Sequence, residues 1–153
     1  MTVSRLKTFL ENNNIKYNTL THSQVFTAQE VAASSHISGK ELVKTIIVKI
    51  DGKMAMAVLP ASCSIDFDRL KEAAGTGKVE LAREEEFEGL FPECETGAMP
   101  PFGNLYGMEV FADEQLSEDE EIAFNAGSHT ELIKLAYRDF ERVVHPRKAQ
   151  FIH

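Results

Sequence analysis

Residues 41–60, ELVKTIIVKIDGKMAMAVLP, contain two apolar runs joined by Asp51 and Gly52. Asp-Gly between two such runs is a strong signal for a β-hairpin with a two-residue turn. In the register that this turn sets, Lys44 lies opposite Leu59. The stretch therefore predicts an antiparallel pair of strands.

Lys44 is the unexpected residue of the first strand. Side chains alternate between the two faces of a strand. The face of Lys44 carries four aliphatic residues, Leu42, Ile46, Val48 and Ile50. A buried lysine is costly unless it is paired or loses its charge. In one interpretation Lys44 reaches solvent at the open end of the hairpin or pairs with Glu41. In the other it is a cation at the mouth of an apolar pocket, where it holds a carbonyl, phosphate or carboxylate.

The remaining elements follow from periodicity and from capping residues. The capping box TAQE, Thr27–Glu30, starts one helix, and Asp66 caps another. Helices are predicted around residues 3–10, 28–36, 67–75 and 83–91, and strands at residues 16–20, 78–82, 105–112 and 121–125.

Residues 130–144, TELIKLAYRDFERVV, fit two patterns. The apolar residues are spaced as on one continuous helix. A strand through Ala136, followed by a helix capped at Asp139, fits equally well. Periodicity alone does not choose between the two.

The length of 153 residues predicts one domain, residues 1–153, with a core of ordinary size. Within it, residues 1–20 form an N-terminal helix and strand, and residues 145–153 form a C-terminal extension. Strands and short helices alternate around an antiparallel hairpin. We therefore expect an α/β (α+β) fold with a mixed, barrel-like β-sheet and helices outside it.

Membrane insertion and secretion are not predicted. No apolar run approaches the roughly 18 residues of a membrane span, and the first residues lack a hydrophobic signal core. These features predict a cytoplasmic protein without a membrane partner.

The net charge of −8 argues against a non-specific coat on DNA or RNA. The charge is uneven, because residues 1–53 carry seven Lys/Arg and four Asp/Glu and are net +3. Five further basic residues cluster near the C-terminus: Lys134, Arg138, Arg142, Arg147 and Lys148. These two regions could form a basic surface that meets a phosphate backbone, or they could simply be solvated faces.

Several common sites are absent from the sequence. Cys63 and Cys94 belong to no zinc-binding pattern and are expected to be reduced thiols, so no metal is predicted. The sequence also lacks a phosphate-binding P-loop, an HExxH motif, a GxSxG motif and a dinucleotide fingerprint. The commonest ATPase, zinc-protease and α/β-hydrolase assignments are therefore excluded.

Two glycine-containing loops are candidates for binding. In TGAMPPFGN, residues 96–104, Gly97 and Gly103 permit unusual backbone angles and the prolines stiffen the loop. Such a loop can present N–H groups to an oxygen anion. In FNAGSHT, residues 124–130, Gly127 permits close approach to the backbone. Each pattern is weak by itself, since plain connecting loops look similar.

Three pieces stand in a characteristic order: the KTIIV strand that starts at Lys44, a G-x-x-x-P loop that continues into FG, and a late AGSH turn. Together with the upstream FTAQEVA they resemble the YbaK-like aminoacyl-tRNA deacylases, which are related to the editing insertion domain of bacterial prolyl-tRNA synthetase. The resemblance extends from about Thr21 to Val144. It implies a compact α/β domain of that type.

The resemblance also implies a function. Such domains hydrolyse the ester between a wrong amino acid, here a small one such as Ala, Ser or Cys, and the terminal ribose of tRNA. They use no metal, no cofactor and no covalent nucleophile. Lys44 would be the catalytic lysine. The implied substrate-binding residues are His22, Thr45, Gly97, Pro101, Phe102, Gly103, Gly127, Ser128 and His129. The expected partners are the acceptor end of mischarged tRNA and an aminoacyl-tRNA synthetase.

Two alternatives remain open at this stage. Met99 and Pro100 replace the smaller residues that family loops often carry, so the same fold could be a non-catalytic module that binds an aminoacyl-nucleotide or a synthetase. An unrelated small α/β domain with an interaction role is the other alternative. Convergence of Lys44, the Gly97–Pro101 loop and the Gly127–His129 turn on one pocket would separate the first two readings from the third.

Overall fold

The computed structural model describes residues 2–21, 42–91, 94–95, 97–118, 120–128 and 130–152. Within these ranges the α-helices are α1 (Thr2–Asn12), α2 (Phe67–Ala74), α3 (Glu84–Phe87) and α4 (Tyr137–Val144). The strands are β1 (Tyr17–Thr21), β2 (Val43–Ile50), β3 (Lys53–Pro60), β4 (Val79–Leu81), β5 (Glu109–Asp113), β6 (Glu121–Asn125), β7 (Glu131–Ala136) and β8 (Arg147–Ala149). Short 3-10 helices span Glu88–Leu90, Gly103–Leu105 and Glu114–Glu118.

The strands form two sheets. One has the order β1-β7-β6 and is antiparallel, and the other has the order β4-β2-β3-β5-β8. In the second sheet β5 pairs in parallel with β3 and β8, so the predicted mixed α/β fold is confirmed. A parallel bridge between Leu42 and Ala123 connects the two sheets. The described strands do not close into a barrel, so the barrel-like closure that the sequence suggested is wrong.

The β2–β3 hairpin has the predicted register. Lys44 lies opposite Leu59, and the strand ends at Pro60 as expected. Asp51 and Gly52 have φ angles of +51° and +80°. Positive φ at both central residues is the requirement of a type I′ turn, which explains why the sequence places Asp-Gly here.

Two predicted helices are confirmed with their signals. Helix α1 turns Leu6 and Leu10 into the core. Helix α2 begins after Asp66, whose carboxylate accepts hydrogen bonds from the backbone N–H groups of residues 68 and 69, and ends at Gly75 in the left-handed conformation. The capping box at residues 27–30 and its helix lie outside the described residues.

The ambiguous segment, residues 130–144, is a strand followed by a helix. Strand β7 pairs with β1 on one side and β6 on the other, which holds the backbone extended as far as Ala136. The predicted cap at Asp139 is wrong, because the helix starts at Tyr137 and Ala136 is its N-cap. Strand β5 begins at Glu109, later than predicted, since Gly107 reverses the chain with φ +68° just before it.

The C-terminal extension, residues 145–153, contributes to the domain core within its described part. It supplies β8 and the fully buried ring of Phe151. The carboxylate of Asp113, itself buried, accepts hydrogen bonds from the backbone N–H groups of Phe151 and Gln115. This segment is therefore held by the sheet and by a buried side chain.

The buried side chains of the described residues form three clusters. The main core includes residues of α1, α4 and both sheets, and a second cluster lies between the five-stranded sheet and α2. The third is small and lies where the two sheets meet; we call it the junction cluster. It consists of Leu42, Ala61, Ala123 and Leu132, with Leu20 packed against it.

None of the helices in the described ranges has the length and apolar character that a membrane span requires.

Candidate functional site

Lys44 is half-buried near the start of β2. The described residues provide it with no ion pair or hydrogen bond. Lys49 on the same strand differs, because its ammonium lies 2.6 Å from Glu86 and 3.2 Å from Glu80. The hydrogen bond from Lys49, with that from the Arg83 backbone, lowers the pKa of Glu86 to about 2. Of these two strand lysines, Lys44 is the one without a partner among the described residues, and Glu41, its predicted partner, lies outside them.

The junction cluster lies on the same face of the sheet as Lys44. Leu42 and Lys44 are two residues apart on one chain, so their side chains point to the same side. Leu42 packs with Ala61, Ala123 and Leu132. The cation therefore borders an apolar floor that contains two small alanine side chains.

Asn125 is a polar residue of the other sheet that lies two residues beyond the bridge between the sheets, as Lys44 does. The bridge between Leu42 and Ala123 is parallel, so both chains run in the same direction from it. Two residues further along, Lys44 and Asn125 are the next side chains on that face. The carbonyl oxygen Oδ1 of Asn125 is buried and has no hydrogen-bond partner in the part of the chain that the structure describes.

The two glycine-containing loops are hydrogen-bonded to each other. The N–H of Gly127 donates to the carbonyl of Ala98 at 2.8 Å, and the N–H of Glu95 donates to the carbonyl of Gly127 at 2.8 Å. Gly97 and Gly127 have φ angles of +85° and +96°, a conformation that favours glycine. Since Gly127 follows β6 by two residues, this paired turn lies at the end of the strand that carries Asn125.

The paired loops restrict which N–H groups can bind an oxygen anion. The N–H of Ala98 donates a hydrogen bond to the carbonyl of Glu95, and the N–H of Gly127 donates one to the carbonyl of Ala98. These two donors are therefore used within the protein. An anion-binding role for either would require this pairing to open.

Several residues that the resemblance implicated face the main core. Phe102 is fully buried, with its ring centroid 5.4 Å from that of Phe124 and 5.7 Å from that of Phe140. Thr45 lies opposite Val58, a residue of the main core, on the face away from Lys44. Because both side chains face away from Lys44, only the backbone of Phe102 or Thr45 could contact a ligand in front of Lys44.

Gly103 has a packing role. A Cβ atom at this position would lie 2.6 Å from the carbonyl oxygen of Met108 and 2.6 Å from a methyl group of Val110. Met99, the bulky residue of the loop, is also buried in the main core. Its side chain therefore does not narrow the space in front of the junction cluster.

The other implicated residues are placed as follows. Pro101 is buried, and the Ser128 hydroxyl accepts a hydrogen bond from the N–H of Thr130. His22 and His129 lie outside the described residues. Asn125 was not identified from the sequence, where its only signal is a polar residue that ends an apolar strand directly before Ala-Gly.

The basic residues that suggested a phosphate-binding surface are mostly paired. Lys134 is 3.8 Å from Glu121 and Arg147 is 3.0 Å from Glu109. Arg142 pairs with Asp139, and Lys148 with Glu141. These contacts favour the interpretation of solvated faces, with partly neutralised charge.

The described residues contain no group of three or more His, Cys, Asp or Glu side chains arranged to hold a metal ion. The face of the junction cluster offers an ammonium group, a side-chain amide and a small apolar surface, and the paired glycine turns follow β6 from this face. Such a set can bind and orient a small polar molecule with an apolar part.

Comparison with known proteins assigns the family. The model of the aminoacyl-tRNA editing domain family matches residues 22–143. The chain is 30% identical over 159 aligned positions to the multifunctional Ser/Thr-tRNA deacylase ProXp-y of Escherichia coli K12, covering 99% of this chain and 93% of that protein. It is also 28% identical to the proline–tRNA ligase of a Bacillus mycoides strain over 89 residues, which are 58% of this chain and 16% of the ligase.

The fold gives a consistent picture. A solved structure of a protein provisionally assigned as a trans-editing enzyme for prolyl tRNA synthetase superposes with a TM-score of 0.84, at 19% identity over 99% of this chain and 97% of that one. At that identity the likeness concerns the fold alone, whereas the family model spans most of the chain. The chain therefore belongs to the aminoacyl-tRNA editing domain family.

Proposed function

We propose that the protein is a trans-editing hydrolase that cleaves the ester between a small amino acid, such as Ala, Ser or Cys, and the terminal ribose of a mischarged tRNA. One observation carries the proposal: Lys44, unpaired among the described residues, lies on the same strand face as Leu42 of the small apolar junction cluster. The substrate-facing residues would be Lys44, Gly97, Pro101, Gly127 and Ser128, with His22 and His129.

The proposed chemistry needs few groups. An aminoacyl ester is already activated, so a site has mainly to orient water and stabilise the developing oxyanion. The Lys44 ammonium can donate hydrogen bonds to the ester carbonyl or to the terminal phosphate. Water would be activated by the neighbouring ribose hydroxyl or by a backbone carbonyl. No step requires a metal or a covalent intermediate.

The proposed size of the substrate side chain follows from the residues of the junction cluster. Ala61 and Ala123 leave room for a short side chain, while Leu42 and Leu132 favour its apolar part. Pockets discriminate between short side chains by about 1–3 kcal/mol per methylene. The name of the Escherichia coli relative, a Ser/Thr-tRNA deacylase, supports substrates of this size.

The proposed partners are the acceptor end of tRNA and an aminoacyl-tRNA synthetase. The pairing of most C-terminal basic residues with carboxylates supports a short contact with the acceptor end over an extended one along the tRNA backbone. Because its substrate is made and used in translation, we place the protein in the cytoplasm.

Deacylation of a panel of mischarged tRNAs tests the proposal. Lys44→Ala should lower kcat/KM by about 100-fold, the loss typical of removing a donor to an oxyanion. Lys53→Ala is the matched control, since Lys53 is an exposed lysine at the other end of the same hairpin. We expect this control to stay within about twofold of wild type.

Two results would overturn the proposal. Wild-type protein that deacylates no member of the panel is not an editing hydrolase, and full activity of Lys44→Ala removes Lys44 from the site. Tight binding of a non-hydrolysable aminoacyl-adenosine without turnover of any ester would favour the non-catalytic binding module instead. The burial of Met99 in the main core removes one reason for that alternative.

A further inference from the structure

Asn125 has a side-chain carbonyl oxygen that the described part of the chain leaves without a hydrogen-bond donor. It ends β6 opposite Leu132 and is half-buried. Its Oδ1 atom is buried and, among the described residues, has no hydrogen-bond partner. A buried carbonyl oxygen without a partner destabilises a folded protein, so its retention calls for an explanation. Folding alone does not require it, because a leucine would suit the apolar neighbours better.

The surroundings of Asn125 indicate which kind of group would pair with it. Leu42, Ala61 and Ala123 provide an apolar surface. Lys44 and Asn125 each lie two residues beyond the Leu42–Ala123 bridge, so their side chains point to the same side as those of Leu42 and Ala123. A positively charged group is disfavoured next to a lysine and over an apolar surface. A neutral hydroxyl is favoured, because it can donate to Oδ1 or accept from Nδ2.

The amide can present either of its ends. Rotation of an asparagine side chain about χ2 is soft and exchanges the positions of Oδ1 and Nδ2. The residue is half-buried, and its Oδ1 is buried, whereas Nδ2 is not among the buried atoms without a partner in the described part of the chain. A hydroxyl that arrives with the substrate could therefore meet a donor or an acceptor without any movement of the backbone.

We propose that Asn125 is a specificity-determining residue whose side-chain amide hydrogen-bonds the hydroxyl of a seryl or threonyl group in the ester substrate. This inference rests on the proposed function and narrows it, since it predicts a preference for hydroxyl-bearing amino acids over alanine. An alanyl ester would fill the same apolar space and leave the amide without its partner.

The test compares seryl and alanyl esters on the same tRNA. Asn125→Leu should lower kcat/KM for the seryl ester by about tenfold, which corresponds to about 1.4 kcal/mol and to one hydrogen bond. The alanyl ester should change by less than about twofold. The control is Asn18→Leu, the same substitution at an exposed position of the same sheet. Asn125→Ala, with the same expectation, covers poor folding of the leucine variant.

The outcomes separate the two proposals. An equal loss on both esters, or no loss on either, overturns the role of Asn125 while leaving the hydrolase intact. If the wild type hydrolyses no ester, binding of seryl-adenosine and alanyl-adenosine analogues by calorimetry decides the inference by itself. A seryl preference that disappears in Asn125→Leu supports it, and equal affinities in the wild type refute it.

Discussion

Substitution of Gly103 by alanine tests a packing constraint in the main core. The carbonyl of Gly103 accepts hydrogen bonds from the N–H groups of Tyr106 and Met108, both at 2.9 Å. The added methyl group would lie 2.6 Å from the Met108 carbonyl oxygen and 2.6 Å from a methyl of Val110. Because one of these neighbours is backbone held by the same turn, it cannot move away without breaking a hydrogen bond.

The expected magnitude combines two opposing effects. Forcing an extra methyl group into a packed core typically costs about 1–3 kcal/mol, and two contacts this short indicate the upper half of that range. Replacing glycine by alanine lowers the entropy of the unfolded chain and returns about 0.4–1 kcal/mol. The net loss is about 1–2.5 kcal/mol. For a domain of this size, that loss lowers Tm by roughly 2–10 °C.

Thermal unfolding followed by circular dichroism measures this loss. Gly77→Ala is the matched control, since a Cβ there meets nothing within 4 Å and the residue is exposed. We expect Gly77→Ala to melt at or slightly above the wild-type Tm. A Gly103→Ala variant that melts within about a degree of wild type would show that the Met108 carbonyl yields freely, and the packing argument would be refuted. Its kcat/KM, measured below both melting points, should stay within about threefold of wild type.

Two further predictions concern stability. Asp66→Ala removes the N-cap of α2 and should lower the free energy of unfolding, measured in urea titrations, by about 1 kcal/mol. Asp66→Asn keeps a capping oxygen and should retain most of this stability, so equal losses in both variants would exclude the cap as the cause. Glu86 has its pKa lowered from 4.5 to about 2, mainly by the hydrogen bond from Lys49, so the pair stabilises the fold above pH 4.5 and this contribution disappears as the pH falls toward 2. The difference in Tm between wild type and Glu86→Gln should therefore be largest near neutral pH and shrink below pH 4.5, with the exposed neighbour Glu85→Gln as control; a difference that stays constant down to pH 2 would contradict the assignment.

The hairpin could be predicted to the residue because its information is local. A two-residue turn sets the register of both strands, so Asp51-Gly52 was enough to place Lys44 opposite Leu59. The same holds for α2, where Asp66 and Gly75 mark the two ends. The strand at residues 131–136 could not be chosen over a helix, because the deciding interaction is its pairing with β1 and β6 at other points in the sequence.

The candidate site was only partly predictable for the same reason. Lys44 stands out as a charge among aliphatic residues, and the glycine loops carry recognisable spacing. The Leu42–Ala123 bridge joins segments that are distant in sequence, so no local sequence pattern predicts it. Asn125 becomes a candidate only once that bridge is known. The expected barrel closure failed because no pattern within a strand specifies how the sheet edges meet.

The Leu42–Ala123 bridge has a mechanical consequence. Each sheet is stiffened by its own ladder of backbone hydrogen bonds, whereas the described strands of the two sheets share this one bridge. The bridge ties the two backbones together at one point, so a rotation of one sheet against the other would pivot about it. Lys44 belongs to one sheet and Asn125 to the other, and each lies two residues beyond the bridge. The distance between their side chains therefore depends on the angle between the two sheets. Substitutions in the main core that change the angle between the sheets would then change the preference among ester substrates, although every side chain of the site stays the same.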